Sequence, residues 1–194
     1  HLLSLDFDGH IIYIYHILLL EIIMSKLYML VGLPGTGKST WTKNFKKKYM
    51  EDQSKQAFDT NTPFVWNLSI VSTDNIIQTI ANENRLTYNQ VFDNLTYSFA
   101  EKITHKLARI AFEKNDIVIW DQTNLTYKSR GKKLEMVPKH YTKIAVSFGI
   151  PVDWKERLEG RQGKAIPPDV INRMTVTYDA PVMAEGFDQI INVN

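Results

Sequence analysis

The run Gly32-Leu33-Pro34-Gly35-Thr36-Gly37-Lys38-Ser39-Thr40 constrains this chain more than any other stretch. It satisfies G-x-x-x-x-G-K-[ST] at Gly32, Gly37, Lys38 and Ser39, with an apolar segment at residues 27–31 before it and a helical pattern after it. A strand, a glycine-rich loop and a helix in that order turn backbone N–H groups inward on a polyphosphate, and the helix adds its positive N-terminal end. Gly35, Thr36, Gly37, Lys38, Ser39 and Thr40 are therefore expected to bind a nucleoside triphosphate. Lys38 would reach the β- and γ-phosphates, and the Ser39 hydroxyl would sit on Mg²⁺.

The bulk properties exclude several chemistries. The chain has 194 residues, enough for one domain with a full core. It contains no cysteine, so disulfides, thiolate catalysis and cysteine-ligated zinc are out, and a reducing cytoplasm is the expected setting. Net charge is +2, well short of the footprint of a dedicated nucleic-acid binder. Residues 1–23 carry three acids and no Lys or Arg, are rich in Ile, Leu and Tyr, and precede Met24-Ser25-Lys26. They are expected to be a non-native or dispensable extension, with a kinase-type domain over residues 24–194. Their apolar run is too short to span a bilayer. Leu5-Asp6-Phe7-Asp8-Gly9 is similar to the nucleophile loop of haloacid-dehalogenase-type phosphatases, but the glycine-rich loop follows too soon for such a domain.

Apolar runs alternating with helical periodicity predict an α/β fold, a P-loop NTPase of three layers with a parallel sheet and a lid. The pattern places strands at residues 27–31, 65–71, 117–120, 143–149 and 189–193. It places helices from the loop to about residue 49, then at 76–81, 88–114, 127–136, 153–160 and 170–174. Val91, Leu95, Ile103, Leu107 and Ile110 are spaced to form the buried face of the long helix. A basic segment with two glycines, within a lid at about 153–168, joins the last two helices. Ligands in such folds bind beyond the carboxyl ends of the strands.

Three further stations fall there. Asp74 follows the second strand; it could cap the next helix or act as a general base toward an acceptor hydroxyl. Asp121 closes the third strand, where a carboxylate is the expected Mg²⁺ partner, with Thr123 or Asn124 available as helix caps. Arg157 and Arg161 are four apart, so a helix sets both on one face, from which they could cover the phosphates. Lys46-Lys47-Lys48 suits the end of the first helix, the histidines show no ligand spacing, and the aromatic residues fall at core spacings, which predicts no stacking platform of the single-strand-binding kind.

Together these stations resemble the kinase domain of the polynucleotide 5′-hydroxyl-kinase family, phage and repair branches alike. The likeness runs from Met24 to the end. It is carried by the loop with Trp41 after it, Asp74, Asp121-Gln122-Thr123-Asn124-Leu125, the lid residues Trp154, Arg157, Arg161 and Lys164-Ala165-Ile166-Pro167, and Ala184-Glu185-Gly186-Phe187. The resemblance implies ATP and Mg²⁺, catalysis by Lys38, Asp74, Arg157 and Arg161, metal held by Ser39 and Asp121, and a 5′-hydroxyl DNA or RNA end as acceptor. One departure stands out. The phage pattern has an arginine three residues after the base, where this chain has Ile77; Thr73 stands where a basic residue often precedes it. Arg85 or Arg130 could replace that contact. A kinase of a small hydroxyl compound (nucleoside, sugar or antibiotic), a toxin-type kinase and a non-catalytic nucleotide-binding module remain as rivals.

Overall fold

Strand β1 (Lys26–Val31) must be central, because Leu27, Met29, Leu30 and Val31 are all fully buried and so need cover on both faces. A computed structural model shows how this is met; it describes residues 25–63, 66–94, 97–114, 116–160 and 166–193. The expected extension at residues 1–23 and Arg161 both lie outside the described residues. The elements run β1, α1 (Lys38–Thr60), β2 (Leu68–Val71), α2 (Thr73–Asn84), α3 (Tyr88–Asn94), α4 (Tyr97–Lys114), β3 (Ile117–Trp120), α5 (Tyr127–Leu134), β4 (Thr142–Phe148), α6 (Trp154–Glu159), α7 (Pro168–Val176) and β5 (Gln189–Val193).

The five strands form one parallel sheet in the order β2-β3-β1-β4-β5. Alternate side chains of each strand point to opposite faces. Leu27, Met29, Val31, Val118, Trp120 and Ala145 pack against Ala108, Ala111 and Phe112 of α4 and Leu134 of α5. Leu30, Leu68, Ile119, Ile144, Val146 and Phe148 pack against Trp41, Phe45 and Tyr49 of α1. The expected three-layer α/β fold is thus present. The chain passes from β3 over β1 to β4, so β1 and β3 flank a topological switch point. Met29 pairs with Trp120 in register, which brings the exits of these two strands side by side.

Several expected boundaries move, each for a local reason. Helix α1 continues past residue 49 to Thr60, where Asn61 turns left-handed (φ 51°) and donates its N–H to the carbonyls of Ala57 and Phe58. Lys46, Lys47 and Lys48 therefore lie mid-helix, with Lys46 5.6 Å from the Trp66 ring centre. Helix α2 starts earlier than expected because Ser72 caps it, its hydroxyl accepting from the Asn75 N–H at 3.4 Å. The expected helix over 88–114 is present at Tyr88–Asn94 and Tyr97–Lys114, and residues 95–96 between them, with the expected core residue Leu95, lie outside the described residues.

The face of α4 is also not the expected one. Ala100, Thr104, Ala108, Ala111 and Phe112 are buried, because small side chains let the helix sit close to the sheet. Leu107 is 42% exposed and Ile110 38%. Ile103 and Leu107 line an open groove of about 350 Å³ with Ile70, Ile76 and Ile80.

Arg130 anchors the carboxyl-terminal segment. Its side chain is fully buried; Nε and Nη2 donate to Glu185 Oε2 and Oε1, each at 2.7 Å. Nη1 donates to the carbonyls of Asn124 (3.0 Å), Leu125 (3.2 Å) and Asp179 (2.8 Å). Glu185 Oε1 also accepts from the Val182 N–H. Arg130 is thus consumed by the fold and does not supply the acceptor contact considered above. Arg130→Met is expected to cost about 3–5 kcal/mol in urea unfolding, since it strands the Glu185 charge. Arg130→Met with Glu185→Leu should recover most of that; an unrecovered loss would show that the carbonyl contacts dominate.

Candidate active site

The loop after β1 closes around its own lysine. Lys38 Nζ donates to the carbonyls of Gly32 (2.8 Å) and Leu33 (2.7 Å), and Thr36 Oγ1 donates to Leu33 at 2.8 Å. Gly35 (φ 82°) and Gly37 (φ 98°) hold the left-handed conformations that let the loop bend. Gly37 starts α1 with no side-chain cap and no acid in the first turn, so no local carboxylate offsets the positive end of the helix. Ser39 and Thr40 are exposed on that first turn. This is a ready anion cradle.

Asp121 sits beside it at the exit of β3. Burial pushes its carboxyl pKa upward; Lys38 and a hydrogen bond from Thr42 oppose the rise, and the Asp74 charge adds to it. Thr42 Oγ1 donates to Asp121 Oδ2 at 3.3 Å and to the Lys38 carbonyl at 3.1 Å, tying Asp121 to α1. The structure thus brings Lys38, Asp121 and Asp74 into one electrostatic neighbourhood. A carboxylate held in a partly desolvated place beside a second carboxylate, with an exposed serine hydroxyl on the adjoining helix, is an all-oxygen donor set that fits Mg²⁺. Among the described residues there is no cluster of three His, Asp or Glu suited to a metal.

Asp74 is not the cap of α2, since Ser72 takes that position. Its carboxylate is exposed in the first turn, and Oδ1 accepts from the Tyr88 hydroxyl at 2.7 Å. Ile77 is buried in a small cluster with Ala81 and Val91, so no cation stands three residues after Asp74. Arg85 is exposed at the left-handed end of α2.

Helix α6 leans on the loop. Trp154 Nε1 donates to the Pro34 carbonyl at 2.7 Å, and a side chain at Gly35 would meet Leu158 at 3.2 Å and Trp154 at 3.4 Å. Arg157 rides on this helix, where its Nε donates to Asp153 Oδ2 at 2.8 Å on the solvent side. That bond holds the Asp153 carboxyl below its ordinary pKa.

Sequence reasoning missed a polar network beneath the strand exits. Asn124, not a helix cap but buried at φ 48°, donates to the Leu30 carbonyl at 2.7 Å; Thr126 caps α5 instead. Lys133 donates to Asn124 Oδ1 and lies 5.5 Å from the Trp120 ring centre; burial lowers its pKa to about 8. Gln122 accepts from Trp120 Nε1 at 2.9 Å and donates to Thr73 Oγ1, next to Asp74. The Gly32 N–H donates to the Thr123 carbonyl at 3.0 Å. Only the polar run Gln122-Thr123-Asn124 after a buried strand hinted at this.

Residues 27–181 match the AAA domain family. The chain belongs to that family. This AAA domain is similar to a solved kinase candidate from Chloroflexus aurantiacus J-10-fl, with a TM-score of 0.53 and 17% identity over 88% of this chain and 85% of that one. Its fold is the α/β fold of P-loop NTPases. Among curated proteins, L-seryl-tRNA(Sec) kinase of Methanococcus maripaludis is 27% identical, over 84% of this chain and 56% of the relative. Heterogeneous nuclear ribonucleoprotein U-like protein 2 of Mus musculus is 24% identical, over 85% of this chain and 21% of the relative. The chain therefore spans only part of both. Among the described residues no helix is long and apolar enough to cross a membrane.

The raised Asp121 pKa has a sign. A carboxyl that holds its proton more tightly when folded favours the native state at low pH, and that contribution is lost as pH rises through the folded pKa. Asp121→Asn in the AAA domain is expected to raise the ligand-free Tm at pH 7 by roughly 2–4 °C, for a relief of about 1 kcal/mol, and to flatten the decline above the carboxylate range. A lower Tm at pH 7 would show that the Lys38 and Thr42 contacts outweigh burial.

Proposed function

We propose that this AAA domain is a phosphotransferase that moves the γ-phosphate of ATP to the 5′-hydroxyl end of DNA or RNA. The observation that carries the reading is the convergence, at one end of the sheet, of the loop lysine, a desolvated carboxylate and an exposed carboxylate held by a phenol. Two relatives support an acceptor linked to nucleic acid, one a kinase of L-seryl-tRNA and one a ribonucleoprotein.

In this reading the backbone of Gly35 to Thr40 and Lys38 hold the polyphosphate. Ser39 and Asp121 would hold Mg²⁺, which screens charge on the phosphates. Asp74 accepts the proton of the acceptor hydroxyl through the oxygen not bonded to Tyr88. The acceptor oxygen forms its bond to the γ-phosphorus as the bond to the β–γ bridging oxygen breaks, and ADP leaves. Arg157, released from Asp153, and Arg161 would cover the transferring group. Trp154 and Leu158 keep α6 close enough for that.

One observation favours a second reading, a kinase of a small hydroxyl compound. Ile77 is buried where the phage pattern has a substrate-phosphate arginine, so that contact is missing.

Transfer of label from γ-labelled ATP to 5′-hydroxyl oligonucleotides, 5′-phosphorylated controls, nucleosides and sugars separates the two. Label on 5′-hydroxyl ends alone is expected, and label on small acceptors alone would give the second reading. Asp74→Ala should lower kcat by about 10²–10⁴ with little change in the KM for ATP. Lys38→Ala should abolish turnover. Normal kcat in the Asp74 variant would remove it as base.

A further inference from the structure

Helix α3 begins with Tyr88, and Phe92 lies four residues on, so both rings share one face. Their planes are 16° apart and their centres 6.0 Å apart, an offset parallel stack. The inner ring is half-buried against Ile77, Ala81 and Val91, and its hydroxyl is bonded to Asp74. The outer ring is 53% exposed, while its neighbour Val91 fills the cluster below. A lone exposed phenylalanine is unremarkable. This one extends a stack whose other end is bonded to the carboxylate proposed to receive the acceptor's proton.

We propose that Tyr88 and Phe92 are the stacking platform for the terminal base of the acceptor, the base lying on the exposed part of Phe92. The inference rests on Asp74 being the base for an acceptor hydroxyl, and it names the substrate class as one bearing a nucleobase. In a nucleotide end, the reacting 5′-oxygen and the flat base are separated by one ribose. A substrate with its hydroxyl at Asp74 therefore presents its base alongside the Tyr88–Phe92 pair. A sugar or sugar acid has no second planar group to place there. Base-on-aromatic stacking tolerates any sequence, because every base has a π-face, so the platform would recognise an end without selecting its identity. It also offers the acceptor a contact that does not depend on the cation missing at Ile77.

The test compares a 5′-hydroxyl oligonucleotide with the same oligonucleotide carrying an abasic terminal residue, using wild type, Phe92→Ala and Phe92→Tyr. Wild type is expected to show a KM roughly 5- to 100-fold higher for the abasic end. Phe92→Ala should raise the KM of the normal end by a similar factor while leaving the abasic KM, the ATP KM and the Tm unchanged. Phe92→Tyr should behave as wild type. Wild-type labelling of both ends with equal KM, or a Phe92→Ala effect common to both, would overturn the platform and leave the kinase reading standing. Labelling of sugars but of no nucleobase-bearing acceptor would overturn both.

Discussion

The working end of this molecule depends on one buried amide. Asn124 spans the gap between two strands that are neighbours in space and distant in sequence, donating to the Leu30 carbonyl near the end of β1 and accepting from Lys133 beneath β3. A buried polar group that is fully bonded fixes its neighbours, and one left unbonded costs more than it ever contributed. Through this side chain, with the Gly32–Thr123 backbone bond beside it, the phosphate loop and the Asp121 segment move as one body. The relative placement of lysine and carboxylate is therefore a property of the sheet.

A second layer of positioning acts on Asp74. Gln122 reaches from the β3 exit to Thr73, and Thr73 in turn meets Thr104 of α4 at 3.0 Å. The carboxylate is thus held from its own helix on one side and by Tyr88 on the other. Asp121 differs in kind: it is held where its charge is disfavoured. Such local strain at a site is tolerated when the surrounding structure over-determines it, and here the well-packed sheet does so.

Much of this was legible in the chain itself. Strand β3 falls at the residues indicated because it is a continuous, almost wholly buried apolar run, and β5 at its expected residues although it is an edge strand only half-buried at Ile190, Ile191 and Val193. The second half of α1 was invisible since it is polar on nearly every side, so periodicity carried no signal. On α4 the periodicity was present but pointed the wrong way: Leu107 and Ile110 lie outward, and Ala100, Ala108, Ala111 and Phe112 do the packing. For the proposed site, Lys38, Ser39, Asp74 and Asp121 could be nominated from sequence because strand ends in this architecture concentrate chemistry. Thr42 and Tyr88 could not, and Gln122 and Asn124 showed only as part of a polar run, because their roles come from partners that only the tertiary fold brings near.

The Arg130–Glu185 pair bears on where the domain stops. The family match ends at residue 181, and a boundary drawn there would look reasonable from similarity alone. Yet the counter-charge of the most deeply sunk guanidinium, the Phe187 ring and the outermost strand β5 all come after it. A shortened chain would keep the glycine-rich loop, Asp74 and Asp121 and lose the anion that balances the buried Arg130 guanidinium. Charge balance inside the protein thus ties Glu185 to the same folded unit as Arg130, a few residues beyond the stretch that the family match covers.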